Sequence, residues 1–160
     1  MAHDMFIKID DIKGESSDAK HGDEIDILSW SWGVTQTGTA QVGRGGGAGK
    51  VQVNDLTITK YVDRASPILL KQCCSGKHMK TAVLAVRKAG GSPLEYLKIT
   101  MEDLIISAVT HGGAGSDDKL TENVTLNFAR VKFEYVPQKK DGSGDASIPM
   151  GWDIAGNVET

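Results

Sequence analysis

Four kinds of residue in this sequence could carry chemistry: a glycine-rich segment that ends in a lysine, four histidines, two cysteines and several acidic pairs. Gly49-Lys50 matches the end of a phosphate-binding loop. That loop needs a glycine at position 44 and a hydroxyl residue at position 51, where this sequence has Arg44 and Val51. Gly43–Ala48 fits a dinucleotide fingerprint loosely, but such a motif opens a helix and here a strand is predicted to follow. Neither phosphate motif is complete.

The remaining reactive residues predict no catalytic, metal or cofactor site. The histidines are scattered without metal-ligand spacing, and no serine lies in a Gly-x-Ser-x-Gly elbow. Cys73 and Cys74 are adjacent, which is too close for a disulfide, and we expect reduced thiols packed against the core. The acidic pairs are predicted to lie in solvated turns or at strand ends; they are Asp10-Asp11, Glu102-Asp103 and Asp117-Asp118.

Length and composition favour one soluble domain over residues 1–160. The formal net charge is −3 and no basic cluster stands out, so nucleic acid is not an expected partner. No apolar run reaches the roughly 20 residues of a membrane span, so membrane insertion is not expected. The first residues do not have the pattern of a cleaved secretory signal.

Two predicted strands flank an unusually long loop. Residues 25–33 place Leu28, Trp30 and Trp32 on one face, and residues 50–61 are rich in β-branched side chains. The loop between them, residues 36–49, far exceeds the roughly 2–5 residues of a hairpin and has almost nothing apolar to pack on itself. We therefore expect that it is either disordered or ordered by contacts outside its own subunit.

The rest of the chain reads as strands with one helix. The strands are predicted at residues 5–9, 82–88, 96–109, 121–136 and 150–154. The helix is predicted at about residues 64–75, with Ser66 as the N-cap before Pro67, or Asp63 as the cap of a slightly longer helix, and Gly76 as its end. Its packing face is predicted to hold the apolar residues at helical spacing, Leu69, Leu70, Cys73 and Cys74.

The long strands change phase partway along. In residues 97–106, for example, large apolar residues lie at odd positions up to Met101 and at even positions from Leu104. A one-residue slip moves all later side chains to the other face, so we expect bulges or sharp bends. Such strands can pass from one sheet to another and close a small barrel, or they can be covered on both faces, by the core and by a neighbouring subunit; we expect both to occur here.

Several motifs together resemble the haemolysin-coregulated protein (Hcp) family from one end of the chain to the other. The similar stretches are Asp4–Ile9, Lys13–Ser16, Ile27–Gly33, Gly45–Val51, Thr59–Asp63, Ser75–His78, Leu120–Phe128 and Gly151–Trp152. The resemblance implies a mainly β fold, a small β-barrel of two sheets with one helix at its side and a long extended loop, and assembly as a hexameric ring. It also implies a function, namely the inner tube of the bacterial type VI secretion system.

The resemblance also implies sites and partners. Ser31 matches a lumen-facing position that contacts effectors. The extended loop would reach the next ring through Thr39, Gln41, Val42, Arg44, Gly45, Gly46 and Gly47. The implied partners are further copies of the chain, the contractile sheath, a trimeric spike protein and effectors carried in the lumen. The implied route runs from the bacterial cytoplasm to the outside without a cleaved signal peptide.

Two other functions remain open from the residues alone. One is a monomeric module that binds a small ligand in the mouth of a barrel, and the other is a small hydrolase on the same fold. A hydrolase would need a convergent catalytic site, which the sequence does not reveal. The mass of the native particle separates these functions from a ring of six 17.1 kDa chains.

Overall fold

The computed structural model describes residues 3–37, 49–90 and 93–160, which form eleven strands and one helix. The helix α1 is Ser66–Ser75. The strands are β1 His3–Ile9, β2 Ile25–Asp26, β3 Ser29–Ser31, β4 Val34–Thr35, β5 Gln52–Val53, β6 Leu56–Tyr61, β7 Met79–Lys88, β8 Glu95–Gly112, β9 Thr121–Tyr135, β10 Ile148–Asp153 and β11 Val158–Glu159.

Nine of the strands form one antiparallel sheet that closes on itself. Its main path runs β11-β10-β9-β8-β7-β1-β2, and β6 joins the start of β9 to β3. Between β2 and β3 the chain changes its hydrogen-bond partner from β1 to β6. The backbone N–H of Ile27 donates to the carbonyl of Met5 (3.0 Å), and that of Leu28 donates to the carbonyl of Thr59 (2.8 Å). This crossing closes a small barrel, in agreement with the predicted fold. Strands β4 and β5 form a separate pair.

The phase changes coincide with bends, as predicted. In β8 both Met101 and Leu104 are buried, and between them Asp103 has a φ of 51°. The facing strand β9 changes phase at the same level, since Phe128 and Val131 are both buried. A bulge follows in β8 between Ile106 and Ala108. Each of these two strands therefore contributes to two layers around one core.

Residues 25–33 are divided, which corrects the prediction of one strand. The division falls at Ile27 and Leu28, where the backbone changes partner from β1 to β6. Ile25 and Ile27 are buried, whereas Trp30 and Trp32 are only partly buried at the margin of the core. Residues 50–61 are divided in the same way at residues 54 and 55, between β5 and β6.

Helix α1 begins and ends close to its predicted bounds, but it packs through a narrower stripe. Leu69 is fully buried and Cys73 is partly buried, while Leu70 and Cys74 are exposed, so the prediction for that second pair was wrong. Positions i and i+4 share one stripe, and the neighbouring i+1 and i+5 positions turn about 100° away from it. Gly76 ends the helix with a φ of 64°, as predicted.

The start of α1 differs from both predicted caps, because the N-cap position is Ala65 and the helix is not longer than predicted. Ser66 is the first helical residue and not the N-cap, and Ala65 before it provides no side-chain cap. Asp63 instead accepts from the amide of Ala65 (2.9 Å), and the Ser66 hydroxyl accepts from the amide of Asp63 (2.9 Å). This reciprocal pattern resembles a capping box and lies in the turn just before the helix, so Asp63 supports the start of α1 without being its N-cap.

Candidate functional site

Four strands bring small polar side chains together on one outward face of the barrel. In the row at Ser31, this residue pairs with Thr57 of β6, and Thr57 pairs with Thr125 of β9. In the next row Ser29 pairs with Thr59, which pairs with Asn123, and Thr110 of β8 completes the row. We call this surface the polar face; it consists of Ser29, Ser31, Thr57, Thr59, Thr110, Asn123 and Thr125.

The polar face is neutral and internally hydrogen-bonded. The hydroxyls of Thr57 and Thr125 lie 3.2 Å apart, and the Thr59 hydroxyl donates to Asn123 (2.6 Å). None of its seven residues carries a formal charge. Hydroxyls and amides both donate and accept, so the face can form hydrogen bonds with many polar surfaces without a fixed charge preference.

The β8 bulge is fixed at the margin of the polar face by Asp55. Its carboxylate accepts from the hydroxyl of Ser107 (3.0 Å) and from the side-chain amide of Asn127 (2.8 Å). Asp55 lies in the gap between β5 and β6, so one side chain joins the interrupted strand to the bulge.

Ser31 is exposed on the polar face, and exposure is required of any residue that contacts a partner. The adjacent Trp30 points to the opposite side and packs against the core. The predicted loop residues lie outside the described residues; these are Thr39, Gln41, Val42, Arg44, Gly45, Gly46 and Gly47.

The described flanks of that loop form a paired stem. Val34 pairs with Val53, and Thr35 pairs with Gln52. Beyond this pair, a Cβ atom added to Gly49 would collide with the hydroxyl of Thr37, so the two flanks run side by side. A strand, β5, follows Gly49 rather than the helix that a dinucleotide fingerprint requires, which agrees with the sequence analysis.

A buried ion pair lies beneath the polar face. Lys60 and Glu122 are almost completely buried and point into the barrel from β6 and β9, where their side chains form a direct salt bridge. The Lys60 ammonium also donates to Asp63 (2.8 Å) and to the carbonyl of Tyr61 (2.9 Å). The Ser66 hydroxyl donates to Glu122 (2.5 Å), and this contact ties the start of α1 to the sheet.

The surroundings of Glu122 favour its charged form. Burial by itself would raise the pKa of this carboxyl, but hydrogen bonds from Lys60 and Ser66, together with the lysine charge, lower it below the usual value. The second carboxylate oxygen contacts Nε2 of His111 at 2.5 Å. This cluster was not predicted from the sequence, although strand parity places Lys60 in phase with Leu56 and Ile58, and Glu122 in phase with Val124.

Serine, histidine and a carboxylate meet in this cluster, but not in the order that acyl transfer needs. A nucleophilic serine must donate its proton to the imidazole, which the carboxylate then orients. Here the hydroxyl of Ser66 donates to Glu122, and the histidine contacts the other oxygen of that carboxylate. Ser66 is also only 3% exposed. The geometry therefore indicates a structural cluster rather than a catalytic triad.

A second charged cluster fixes residues 11–24 against the barrel. His21 stacks on Phe6 with the ring centroids 4.4 Å apart, and its ring nitrogens contact Glu24 (2.9 Å) and Glu95. Burial would lower the pKa of His21, but the two carboxylates outweigh burial and raise the pKa above its usual value. Nearby, the hydrogen bond from Arg87 lowers the pKa of Asp18 to about 2.

The described part of the chain shows neither a candidate metal site nor a helix that could span a membrane. Residues 3–37, 49–90 and 93–160 contain no group of three or more His, Cys, Asp or Glu side chains that could hold a metal ion. Over the same residues, no helix is long and apolar enough to cross a membrane.

Comparison with known proteins shows similarity over the full chain. Residues 6–135 match the family described as "Type VI secretion system effector, Hcp". The chain is 55% identical to Protein hcp1 of Pseudomonas aeruginosa over 99% of both sequences. It is 45% identical to Hcp1 from Salmonella typhimurium, whose crystal structure superposes with a TM-score of 0.84 over 100% of both chains.

A third comparison supports the same fold. A solved structure described as a type six secretion system protein superposes with a TM-score of 0.93 at 30% identity, and the match covers 99% of this chain and 100% of the other. Both the sequence and the backbone are therefore similar along the whole length, including the strands that form the polar face.

Proposed function

We propose, on the premise that the chain belongs to the Hcp family of the type VI secretion system, that it assembles into hexameric rings. These rings stack around a continuous lumen. As a family member it is a subunit of the secretion tube, and neither a ligand-binding module nor a hydrolase is favoured. The observation that carries this function is the 55% identity with a known Hcp protein over almost the whole chain.

The edges of the polar face support ring formation. On one side, β3 pairs only with β6 among the described residues. On the other side, the pairing of β7 with β8 stops at Leu104, so the following residues of β8 pair only with β9 in that part of the chain. An open strand edge is a template for another chain, and two different edges give a head-to-tail contact that can close into a ring.

We place the polar face on the lumen side of the ring, with Ser31 as a contact for effectors. The exposed position of Ser31 and the neutral hydroxyls and amides around it support this assignment. A wall of this kind can form hydrogen bonds with cargo proteins of either charge, because it holds no fixed charge of its own.

We assign ring stacking to residues 38–48, the segment that joins strands β4 and β5. Glycine lacks a side chain and can therefore lie close to the backbone of another subunit. Ordering each residue costs about 1–2 kcal/mol, so stacking should be weaker than ring closure.

Deletion of residues 40–48 is expected to leave the ring mass unchanged and to abolish tubes, as measured by native mass and electron microscopy. Normal tubes formed by the deletion variant would show that these residues are not needed for ring stacking.

The further partners follow from tube function and are part of the proposal. They are the contractile sheath around the tube, the trimeric spike at its tip and the effectors in its lumen. The protein would begin in the bacterial cytoplasm and leave the cell with the expelled tube. This route uses the type VI machinery.

The lumen assignment is tested by placing the same bulky charge on two exposed serines. Ser31→Arg is expected to retain rings of about six times 17.1 kDa and to lose co-purification of effectors. Ser75→Arg, at the exposed end of α1, is the matched control and should retain both properties. Equal effector recovery from the two variants would show that Ser31 does not contact cargo.

A further inference from the structure

Residues 11–24, which we call the strap, are held on the barrel mainly by charged groups. The only large apolar side chain of the strap, Ile12, is buried near its start, and the rest of the strap is polar or small. Part of its backbone hydrogen bonding is internal, as in the bond from the N–H of Ser16 to the carbonyl of Glu24 (3.0 Å). A segment with so few buried apolar contacts opens easily unless polar contacts hold it.

The strap covers an aromatic residue on the outer face of the sheet. In β1 the side chains of Ile7 and Ile9 belong to the core, so Phe6 points to the opposite face. Phe6 is nevertheless only 5% exposed, because the ring of His21 stacks on it with the centroids 4.4 Å apart. The guanidinium of Arg87 lies 5.1 Å from the centre of the same ring. Opening of the strap would therefore expose an apolar ring.

His21 has a carboxylate at each of its two ring nitrogens. Nδ1 lies 2.9 Å from an oxygen of Glu24 in the strap, and Nε2 contacts Glu95, the first residue of β8. An ionised carboxylate only accepts hydrogen bonds, and a neutral imidazole has one N–H donor, whereas the protonated ring has two. Only the protonated ring can therefore donate to both carboxylates. Loss of the proton leaves one ring nitrogen as an acceptor that faces a second acceptor.

The other charged groups beside His21 are Asp18 of the strap, Arg87 of β7 and Asp4 of β1. Arg87 donates to Asp18 through two N–H groups, one of them at 3.0 Å, and also contacts Asp4 at 3.4 Å. The hydrogen bond from Arg87 lowers the pKa of Asp18 to about 2, and a guanidinium keeps its proton, so this pair stays charged where a histidine titrates. Burial would lower the pKa of His21, but its two carboxylate neighbours raise the pKa above the usual value.

Backbone strain lies near both ends of the strap. Asp10, just before the strap, has a φ of 44°, and Asp23, near its end, has a φ of 62°. Residues other than glycine rarely adopt this left-handed region, and aspartate does so at a cost. The contacts that hold the strap closed must also offset this strain, so loss of one contact favours opening.

We propose that the strap is a pH-sensitive cover: the protonated ring of His21 holds it between Glu24 and Glu95, and loss of that proton loosens the strap and exposes Phe6. The strap is closed at acidic pH and looser at alkaline pH. The device does not depend on the assembly proposed above, because all of its groups belong to one chain.

Hydrogen exchange of the full chain measures the state of the strap. Exchange of residues 13–24 is followed by mass spectrometry at about pH 6 and about pH 9, and each rate is divided by the intrinsic rate at that pH. We expect the protection of this segment to fall about 10- to 100-fold from the lower to the higher pH, the effect of one charge-assisted hydrogen bond. Residues 97–101 of β8 include the fully buried Ile99 and Met101 and should stay protected at both pH values.

Two variants separate the proton on His21 from the other contacts of the strap. In Glu95→Gln the new side-chain amide can donate to the unprotonated nitrogen of a neutral His21, so the strap should stay closed at both pH values and the fall in protection should largely disappear. Asp18→Asn is the matched control. It weakens the contact with Arg87, whose partner Asp18 stays ionised over this range, so protection should decrease by the same factor at both pH values and the pH dependence should remain.

Each outcome of the exchange experiment supports or overturns the proposal. A fall in protection that is confined to the strap, absent from Glu95→Gln and present in Asp18→Asn supports it. Equal protection of the wild-type strap at both pH values, or the same fall in Glu95→Gln, would overturn it. An equal fall in residues 97–101 would show that the whole barrel loosens, which would also overturn it. If Glu95→Gln does not fold, Glu24→Gln removes the other carboxylate and carries the same expectation.

Discussion

The buried pair of Lys60 and Glu122 allows a sharp prediction about stability. Replacement of Lys60 by Met keeps an unbranched apolar stem of similar size but removes the ammonium group. Glu122, which is 1% exposed, would then retain its charge without its principal partner. Removal of one member of a buried ion pair costs about 3–5 kcal/mol, because the remaining charge stays desolvated.

The reverse substitution should cost less, because the lysine has a second partner. In Glu122→Gln the ammonium of Lys60 keeps the carboxylate of Asp63 at 2.8 Å and the carbonyl of Tyr61 at 2.9 Å. The expected cost is about 1–3 kcal/mol, the range for one buried group left without its partner. The double variant, Lys60→Met with Glu122→Gln, removes both charges and should cost less than the sum of the single variants.

Urea unfolding at pH 7 measures these differences. A loss of about 3–5 kcal/mol is roughly a 100- to 5,000-fold change in the folding equilibrium and should lower the Tm by about 6–20 °C for a chain of this size. The measurements need several protein concentrations, because assembly also stabilises the folded state. Lys132→Met is the matched control: this lysine is 55% exposed and pairs with Glu134 at the surface, so its loss should change stability by less than about 1 kcal/mol.

Two results would refute the reasoning. If Lys60→Met behaves like Lys132→Met, the buried charge is not retained as described. If the two single costs add fully in the double variant, Lys60 and Glu122 do not stabilise each other.

Three further predictions address the helix and residues 11–24. Leu69→Ala should cost about 2–5 kcal/mol in urea unfolding and Leu70→Ala less than about 1, because only Leu69 is fully buried; equal losses would contradict the narrow packing stripe. Gly76→Ala should cost about 1–2 kcal/mol, since φ is 64° there, while Gly115→Ala in open space should be nearly neutral. The pKa of His21 is raised in the folded protein, so its contribution to stability is complete below the unfolded pKa of about 6.5 and is lost as the pH rises through the folded value. The stability difference between wild type and His21→Gln should therefore be greatest below about pH 6, and a difference that grows with pH would contradict the assignment.

Strand parity predicted much of the fold. The shift from odd to even apolar positions correctly indicated the bends at Asp103 and between β5 and β6. The same odd–even pattern indicates that the side chain of Lys60 points inward. It cannot name the partner of a buried charge, because Glu122 lies 62 residues away and meets Lys60 only through the register of β6 with β9.

The predictions that were wrong or missing all depend on contacts with neighbouring elements, which the local sequence pattern does not show. Residues 25–33 contain good strand formers throughout, and only the change of hydrogen-bond partner at Ile27 and Leu28 divides them. On α1, helical spacing identified Leu69 and Cys73 correctly, but the width of the packing stripe depends on the sheet beneath it. The two-residue strand β11 was missed because its pairing with Trp152 and Asp153 is set by the neighbouring strand rather than by its own pattern.

The shared bend of β8 and β9 has a consequence for how the molecule unfolds. Because both strands pass through the two layers and bend at the same level, neither layer has a complete set of strands of its own. Partial opening of one layer would break hydrogen bonds in the other, so we expect one cooperative transition without a half-folded species. Amides on either side of Asp103 should then exchange with deuterium through the same global opening, and each subunit would pass between folded and unfolded states as a single unit.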